Sequence, residues 1–555
     1  MNGLDEPFVD FAIIGSGFGG SVAALRLSEK GYRVLVLERG NRYRDDEFAR
    51  SNWDVRRYLW LPGWGCRGIL QMTWLSGVLV LHGSGVGGGS LGYANVLAEP
   101  DAGVFELPAW SRYAPWGSRL RPHYATARRM LGAATNPQSC AADDMLRQVA
   151  AELGTLDSFQ PTEVAVFFGE DGQEVPDPYF EGLGPPRAGC THCGACMVGC
   201  RLNAKNTLPK NYLHLAEGLG AEIRAESEVV DVRPVREGED GSARYEITYC
   251  RPGVLGSRRR RRVRARNVVF AAGALGTVSL LLRCRDETGS LPGLSQRLGS
   301  DVRTNSEALL GVTARDDRTD FSKGVAITSI FQADPVTHVE PVRYPDGSSL
   351  MRMLAAPLVE AGNGRWRRLW LLLCESILHP VDLARSKLLP GWARRTTILL
   401  VMQTTDTRLL VKRGRSLLTF FRRGLVSQRD QARPLVGELP IAHEVVRRFA
   451  AQVDGIAQGS INESLLNTPT TAHIMGGVPI GRSVEEGGAD DRFRLFGYPG
   501  LYVVDGSVMP GNPGVNPSLT IAALAEWAMA AVAAKGEAEP SWPGGDLRTA
   551  GARRR

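Results

Sequence analysis

A chain of 555 residues is too long for one hydrophobic core, and at about 150 residues per domain it implies roughly two to four lobes. Apolar residues at 43% and aromatics at 7% describe ordinary globular protein. Lys and Arg number 66 against 59 Asp and Glu, a net charge of +7 that is nearly balanced for this length, so no nucleic acid partner is expected.

The chain runs within ten residues into "FVDFAIIGSGFGG", which leaves no room for a charged region, an apolar stretch and a cleavage site, so no secretory signal is expected. "FAIIGSGFGGSVAALRLSEKGYRVLVLERG" reads as strand, glycine turn, helix and strand. Phe11 to Ile14 suit a strand buried on both faces, and Val22, Leu25 and Leu27 begin a helical stripe. Gly15, Gly17 and Gly20 have dinucleotide-binding spacing: a tight turn, a close approach of backbone to a pyrophosphate, and close packing of helix on strand. Glu38 ends the second strand where an acid accepts from a ribose hydroxyl.

A second glycine run, "HGSGVGGGSLGYANVLAEP" from His82 to Pro100, lacks apolar periodicity, and its glycines imply backbone pressed against a flat or charged ligand. Helical stretches follow, then "GCTHCGACMVGC", which puts Cys190, Cys193, Cys196 and Cys200 within one short run while the other five of the nine cysteines are scattered singly. Scattered cysteines suit a reducing cytoplasm. Short strands alternate from about 221 to 269, and "SRRRRRVRAR" from Ser257 to Arg266 reads as the solvated arm of a β-hairpin, with phosphate or anionic lipid as the alternative contact. "NVVFAAGALGTVSLLL" repeats strand, glycine turn and helix.

Residues 311–459 are poorer in glycine turns and form the natural substrate lobe. They hold the longest apolar run, Leu369 to Val381, which contains Glu375 and is far short of the about 20 residues that span a bilayer. Its flanking basic residues, among them Arg365, Arg367 and Arg368, make an amphipathic segment suited to an anionic membrane interface, or else a buried helix with exposed arginines. A cytoplasmic protein, with peripheral membrane contact open, is therefore expected. The last fifth returns to cofactor-like sequence: "TAHIMGGVPIGRS", the strand "GLYVVDGSVMPG", then "NPGVNPSLTIAALAEWAMAAVAA". Asn516 followed by Pro517 predicts a helix start with asparagine as N-cap and proline at the first helical position. The Pro-rich basic tail, 539–555, is expected to be disordered.

These pieces together resemble the glucose–methanol–choline (GMC) flavin oxidoreductases, and within them the bacterial cholesterol-oxidase-like branch. The matching motifs are "IIGSGFGGSVAALRLSEKG" with "VLERG", "GSGVGGGSL", "FAAGALGT", "AHIMGG" and "VVDGSVMPGNPGVNPSLTIAALAE", in the family's order from residue 11 to 526. The resemblance implies an α/β protein: a Rossmann-like FAD-binding lobe (1–310, with a cysteine-rich insertion near 186–201, and 460–538) and a second α+β substrate-binding lobe (311–459). It implies FAD as cofactor, with Gly15, Gly17, Gly19, Gly20, Glu38, Gly85, Gly88, Gly89, Ser90, Asn95, Asp505, Gly506 and Asn516 at the binding positions.

The implied reaction is oxidation of a lipophilic alcohol, a sterol 3-hydroxyl, by hydride transfer to flavin N5 with His473 and Asn516 at the alcohol oxygen. Oxygen or an electron carrier is the acceptor. The alternatives are a dehydrogenase of the same fold that feeds a carrier, and a non-catalytic electron-transfer flavoprotein, against which the His473 and Asn516 pair argues. Cholesterol oxidases also carry a glutamate in the second lobe that serves steroid isomerisation; between Thr337 and Gly364 only Glu340 and Glu360 are candidates, and the motif does not choose between them.

The cysteine run stays open to three readings. Its C-x2-C-x2-C-x3-C spacing imitates ferredoxins, although there the fourth cysteine serves another cluster and a proline follows it, whereas Arg201 follows Cys200. Zinc sites separate their CxxC pairs by a longer loop, and a structural turn needs no metal. An iron–sulfur cluster would use Cys190, Cys193 and Cys196, with Cys200 as the candidate fourth ligand.

Overall fold

The computed structural model describes residues 8–235, 244–253, 259–360, 362, 364–419, 421–435, 437–538 and 542. Nearly all of the predicted tail, 539–555, and the start of the arginine run at 257–258 lie outside the described residues.

The apolar run Val9–Ile14 becomes a central strand because five of its six residues are buried, which requires neighbours on both sides and cover on both faces. Val34–Leu37 and Arg261–Phe270 pair with it in parallel, and Glu222–Arg224 extends the first side. Beyond Arg261–Phe270 the sheet turns antiparallel through Tyr245–Cys250 and Glu228–Pro234, while Leu501–Val503, from the far end of the chain, pairs in parallel with Val268 to Phe270. The arginine run is thus the edge of a hairpin: Arg259 to Arg262 are exposed, and the same strand becomes fully buried from Asn267 onward.

Two helices close the nucleotide side. Phe18–Glu29 starts from the first glycine turn, and Ser518–Ala530 packs beside it. A tight ion pair joins them, the Arg26 guanidinium to Glu526 at 2.7 Å. Gly15 has φ +100°, and a Cβ there would meet the Ala271 carbonyl oxygen at 2.3 Å; a Cβ on Gly20 would meet the Gly15 carbonyl oxygen at 2.1 Å. The first strand, its helix and the third strand therefore close on one another only if these two residues have no side chain.

The second sheet is antiparallel, in the order Ala355–Pro357, Gly455–Ser460, Ala308–Ala314, Thr396–Gln403, Thr337–Val342, Ser329–Asp334 and Gln160–Pro161. One face packs against the helices Ala141–Glu152 and Pro440–Gln452, with Leu146, Val149, Val445 and Phe449 against Leu310 and Val401. The other face contributes Leu309, Val342, Ile398 and Leu400 to a cavity shared with the first lobe. An alternating strand pattern thus supplies a core on one side and an apolar chamber wall on the other.

Candidate functional site

The shared cavity has a volume of about 940 Å³. At one end it runs along the first glycine turn, past Gly15, Gly17, Gly19 and Glu38, and along Gly88 and Gly89 of the second glycine run. At the other it is walled by Leu309, Val342, Ile398, Leu400, Met351 and Trp392. His473, Asp505, Gly506 and Asn516 also line it.

Glu38 holds the glycine turn directly. It accepts from the Ser16 backbone N–H (3.1 Å), the Ser16 hydroxyl (2.8 Å) and the Gly40 N–H (2.8 Å). Asp505 accepts from Ser507 and Thr277, and complete burial raises its carboxyl above the usual range. Four expected positions do not reach the cavity lining. Gly20 and Gly85 shape backbone, Ser90 donates to the Gly87 carbonyl (2.7 Å) and accepts from the Leu208 N–H (3.1 Å), and Asn95 is buried at φ +74° between the lining residues Ala94 and Val96.

His473 follows the short strand Thr470–Thr471, which pairs with Val78–Gly83, and its backbone N–H donates to Thr471 Oγ1 at 2.9 Å. Its Nδ1 lies against the carboxylate of Glu307, which is itself fully buried and accepts the Ala472 N–H at 2.8 Å. With Nδ1 so engaged, Nε2 is the nitrogen left for the cavity. Nothing in the motifs pointed to Glu307. The available signal was an acid opening the apolar strand "EALLGVTA", which folding buries with a partner.

Asn516 corrects a prediction. The helix begins at Ser518 with Pro517 as N-cap, and no side chain caps it. The Asn516 amide instead donates from Nδ2 to Glu340 Oε2 at 3.2 Å. Asn305 fixes the turn before it, accepting from the Gly514 N–H and donating to the Val515 carbonyl, both at 3.0 Å. Glu340 sits in the fully buried strand Thr337–Val342. Desolvation lifts its pKa to about 8, with the nearby Glu307 charge acting in the same direction and the Asn516 hydrogen bond against it. Glu360 is elsewhere, on the surface with Arg447 at 2.6 Å, and this pairing lowers its carboxyl pKa.

The chain's middle and end match the model of the GMC oxidoreductase family over residues 405–525, and residues 13–43 match a Rossmann-like NAD(P)-binding domain. A cholesterol oxidase of Mycobacterium tuberculosis is 45% identical over 561 aligned positions, covering 98% of this chain and 94% of that protein. The chain belongs to the GMC oxidoreductases. A cholesterol oxidase of Acinetobacter baumannii is 43% identical, covering 95% of this chain and 94% of the relative. The crystal structure of pyridoxine 4-oxidase from Mesorbium loti superposes with a TM-score of 0.58 at 16% identity, over 94% of this chain and 98% of that one, and so shares the fold.

This GMC oxidoreductase is therefore an FAD-dependent enzyme that acts on CH–OH groups. Its own residues fit the cofactor. Gly17 faces open space, since a Cβ there would meet no atom within 4 Å, and it lines the cavity beside the turn that Glu38 holds. A backbone so exposed at the start of a helix is the cradle a pyrophosphate requires. Among the described residues no helix is long and apolar enough to cross a membrane, and no group of three or more His, Cys, Asp or Glu side chains is arranged to hold a single metal ion.

Proposed function

We propose that this enzyme oxidises the 3-hydroxyl of a sterol or a similarly bulky lipophilic alcohol. The observation that carries the reading is the continuity of one cavity from the glycine cradle to an apolar chamber, with His473 and Asn516 both on its wall. Bound FAD supplies the hydride acceptor, N5. His473 Nε2 takes the hydroxyl proton, and the buried Glu307 carboxylate against Nδ1 offsets the imidazolium charge that results. The second Nδ2 hydrogen of Asn516 is available to the alcohol oxygen, since the first goes to Glu340. The helix Ser518–Ala530 presents its N-terminal residues Pro517 and Ser518 to the cavity, where its partial positive charge favours negative charge. Two relatives named cholesterol oxidase support a sterol over other alcohols. Mixing FAD-loaded protein with cholesterol under anaerobic conditions should bleach the flavin, and admitting oxygen should then separate an oxidase from a carrier-linked dehydrogenase. No bleaching by any sterol, with bleaching by short alcohols, would overturn the substrate reading.

A second activity rests on Glu340. Its position beside Asn516 and Glu307 supports a role as the base that moves a ring double bond into conjugation with the new ketone. Of the two candidate glutamates, Glu340 carries this proposal and Glu360, on the surface with Arg447, does not.

The amphipathic segment forms two helices, Arg365–Leu378 and Pro380–Leu388. Trp366 (76%), Ile377 (73%) and Leu388 (76%) are largely exposed, with Arg367 and Arg385 beside them on the surface. Arg368 departs from the expectation. It is buried, pairs with Glu438 and donates to the Glu463 carbonyl at 2.8 Å, so it anchors the first helix and does not face lipid. The exposed apolar side chains support insertion at a membrane interface, where a sterol resides.

A further inference from the structure

We propose that the cavity enclosed by residues 190–205 is the seat of an iron–sulfur cluster of the four-iron class, ligated by Cys190, Cys193, Cys196 and Cys200. All four cysteines line this one small, nearly apolar cavity, closed on one side by Lys205. All are free thiols. In this proposal the fourth cysteine stays with the first three, since it lines the same cavity, and serves no second site.

The cavity is built and held from both lobes. Gly194 (φ +72°) lies so near the second lobe that a Cβ would meet the Ser322 carbonyl oxygen at 2.2 Å. The Gly194 N–H donates to the Gly324 carbonyl at 2.9 Å, and the Gly324 N–H returns to the His192 carbonyl at 2.8 Å. Backbone donors point at sulfur: the His192 N–H at Cys190 Sγ (3.4 Å) and the Ala326 N–H at Cys196. Such donors stabilise thiolate and bridging sulfide charge.

Charge supplies an independent argument. Lys205 is 1% exposed, and its ammonium donates to the carbonyl oxygens of Leu91 (3.0 Å), Tyr93 (2.8 Å) and Cys196 (2.8 Å). These partners carry no formal charge, and a buried cation without a counter-ion is costly. A cluster held by four thiolates carries net negative charge and provides that counter-ion. A lone zinc would need four sulfurs at about 2.3 Å from one centre, and the described side chains are not so gathered. A polynuclear body that brings its own sulfides spans a wider ring.

Location suggests use. Met197, next to Cys196, lines the large flavin cavity, so the two compartments share a wall. A cluster there can take the two electrons of reduced flavin one at a time, one ferric iron becoming ferrous at each step. It can pass each electron to a one-electron carrier protein, while the flavin proton leaves to water.

The test is anaerobic reconstitution of the FAD-loaded protein with ferrous iron and sulfide, followed by metal, sulfide and flavin analysis and electron paramagnetic resonance after dithionite reduction. Roughly four irons and four sulfides per flavin, with a reduced-cluster signal, are expected. Cys193→Ser with Cys200→Ser should remove most of the iron while flavin stoichiometry holds; Cys66→Ser, outside the cavity, should change neither. Flavin-replete parent protein that takes up less than about one iron per chain, or one zinc and no sulfide, would overturn the proposal. So would iron uptake that the double variant leaves unchanged. Should the double variant fail to fold, the iron, sulfide and resonance measurements on the parent decide alone.

Discussion

The Asn516 side chain donates to the Glu340 carboxyl at 3.2 Å, joining the turn before the last helix to a fully buried strand of the second sheet. Burial of that strand, against the pull of this hydrogen bond, lifts the Glu340 carboxyl to a pKa of about 8, and stability must answer to it.

For Glu340 the sign follows from linkage. Below its ordinary value of 4.5 both the folded and unfolded chains keep the proton. Between there and about 8 the unfolded chain loses it and the folded one does not, so stability falls as pH rises; above about 8 the deficit is constant. Glu340→Gln removes the acid at nearly constant volume. Denaturant melts of the FAD-loaded protein should show the variant equal to its parent near pH 4.5 and more stable by a few kcal/mol, on the order of 5 at most, near pH 9. A difference independent of pH would mean that Glu340 is ionised in the folded protein.

The same substitution tests chemistry. Glu340→Gln should abolish conversion of a β,γ-unsaturated steroid ketone to its conjugated isomer, read by the growth of enone absorbance, while flavin reduction by sterol persists. Parallel loss of both activities would tie Glu340 to oxidation as well.

Replacing His473 by Gln should leave FAD bound and slow flavin reduction by about two to four orders of magnitude, the scale of a lost general base. Glu307→Gln should slow it less, because the imidazolium formed in the step loses the carboxylate beside Nδ1. Unchanged stopped-flow rates for His473→Gln would remove it from proton transfer.

The readable parts of this fold and site are those in which backbone conformation dictates residue type. Gly15 and Gly20 announce a turn because the neighbouring carbonyl oxygens leave no room for a Cβ, and Glu38 is legible because it ends a buried strand at a fixed distance from them. Asn516 was legible as a position but not in its local contacts: Asn before Pro looks like a cap, yet no side chain caps that helix and one amide hydrogen goes to Glu340. Glu307 stood out least, and Glu340 only as one of two candidate glutamates, since a buried acid is defined by partners distant in sequence, His473 and Asn516. Arg368 misled for the same reason: in a basic run it looks solvated, and only the fold brings Glu438 to it.

Gly17 and Gly20 should fail in opposite ways. Gly17→Val places its side chain in open space at the cavity wall, so the protein should fold but lose FAD affinity by at least tenfold, measured by flavin titration of the apoprotein. Gly20→Ala forces a Cβ against the Gly15 carbonyl oxygen and should lower the melting temperature even with FAD in excess. Full flavin retention by Gly17→Val would move the pyrophosphate cradle elsewhere.

The exposed face of the helices 365–378 and 380–388 offers the final test. Trp366→Glu with Trp370→Glu places charge on side chains 76% and 66% exposed, so the fold should survive. Binding to vesicles of mixed neutral and anionic lipid should fall at least tenfold by co-sedimentation, since each aromatic removed from the interface forfeits on the order of 1–2 kcal/mol. Arg367→Gln should weaken binding by about 1 kcal/mol, and only at low salt, because it acts through the surface potential. Arg368→Gln is the control: it removes the buried guanidinium that pairs with Glu438 and donates to the Glu463 carbonyl, so it should destabilise the first helix and lower the melting temperature, with no salt-dependent effect on vesicle binding. Equal pelleting of the double tryptophan variant and its parent would assign this face to something other than lipid.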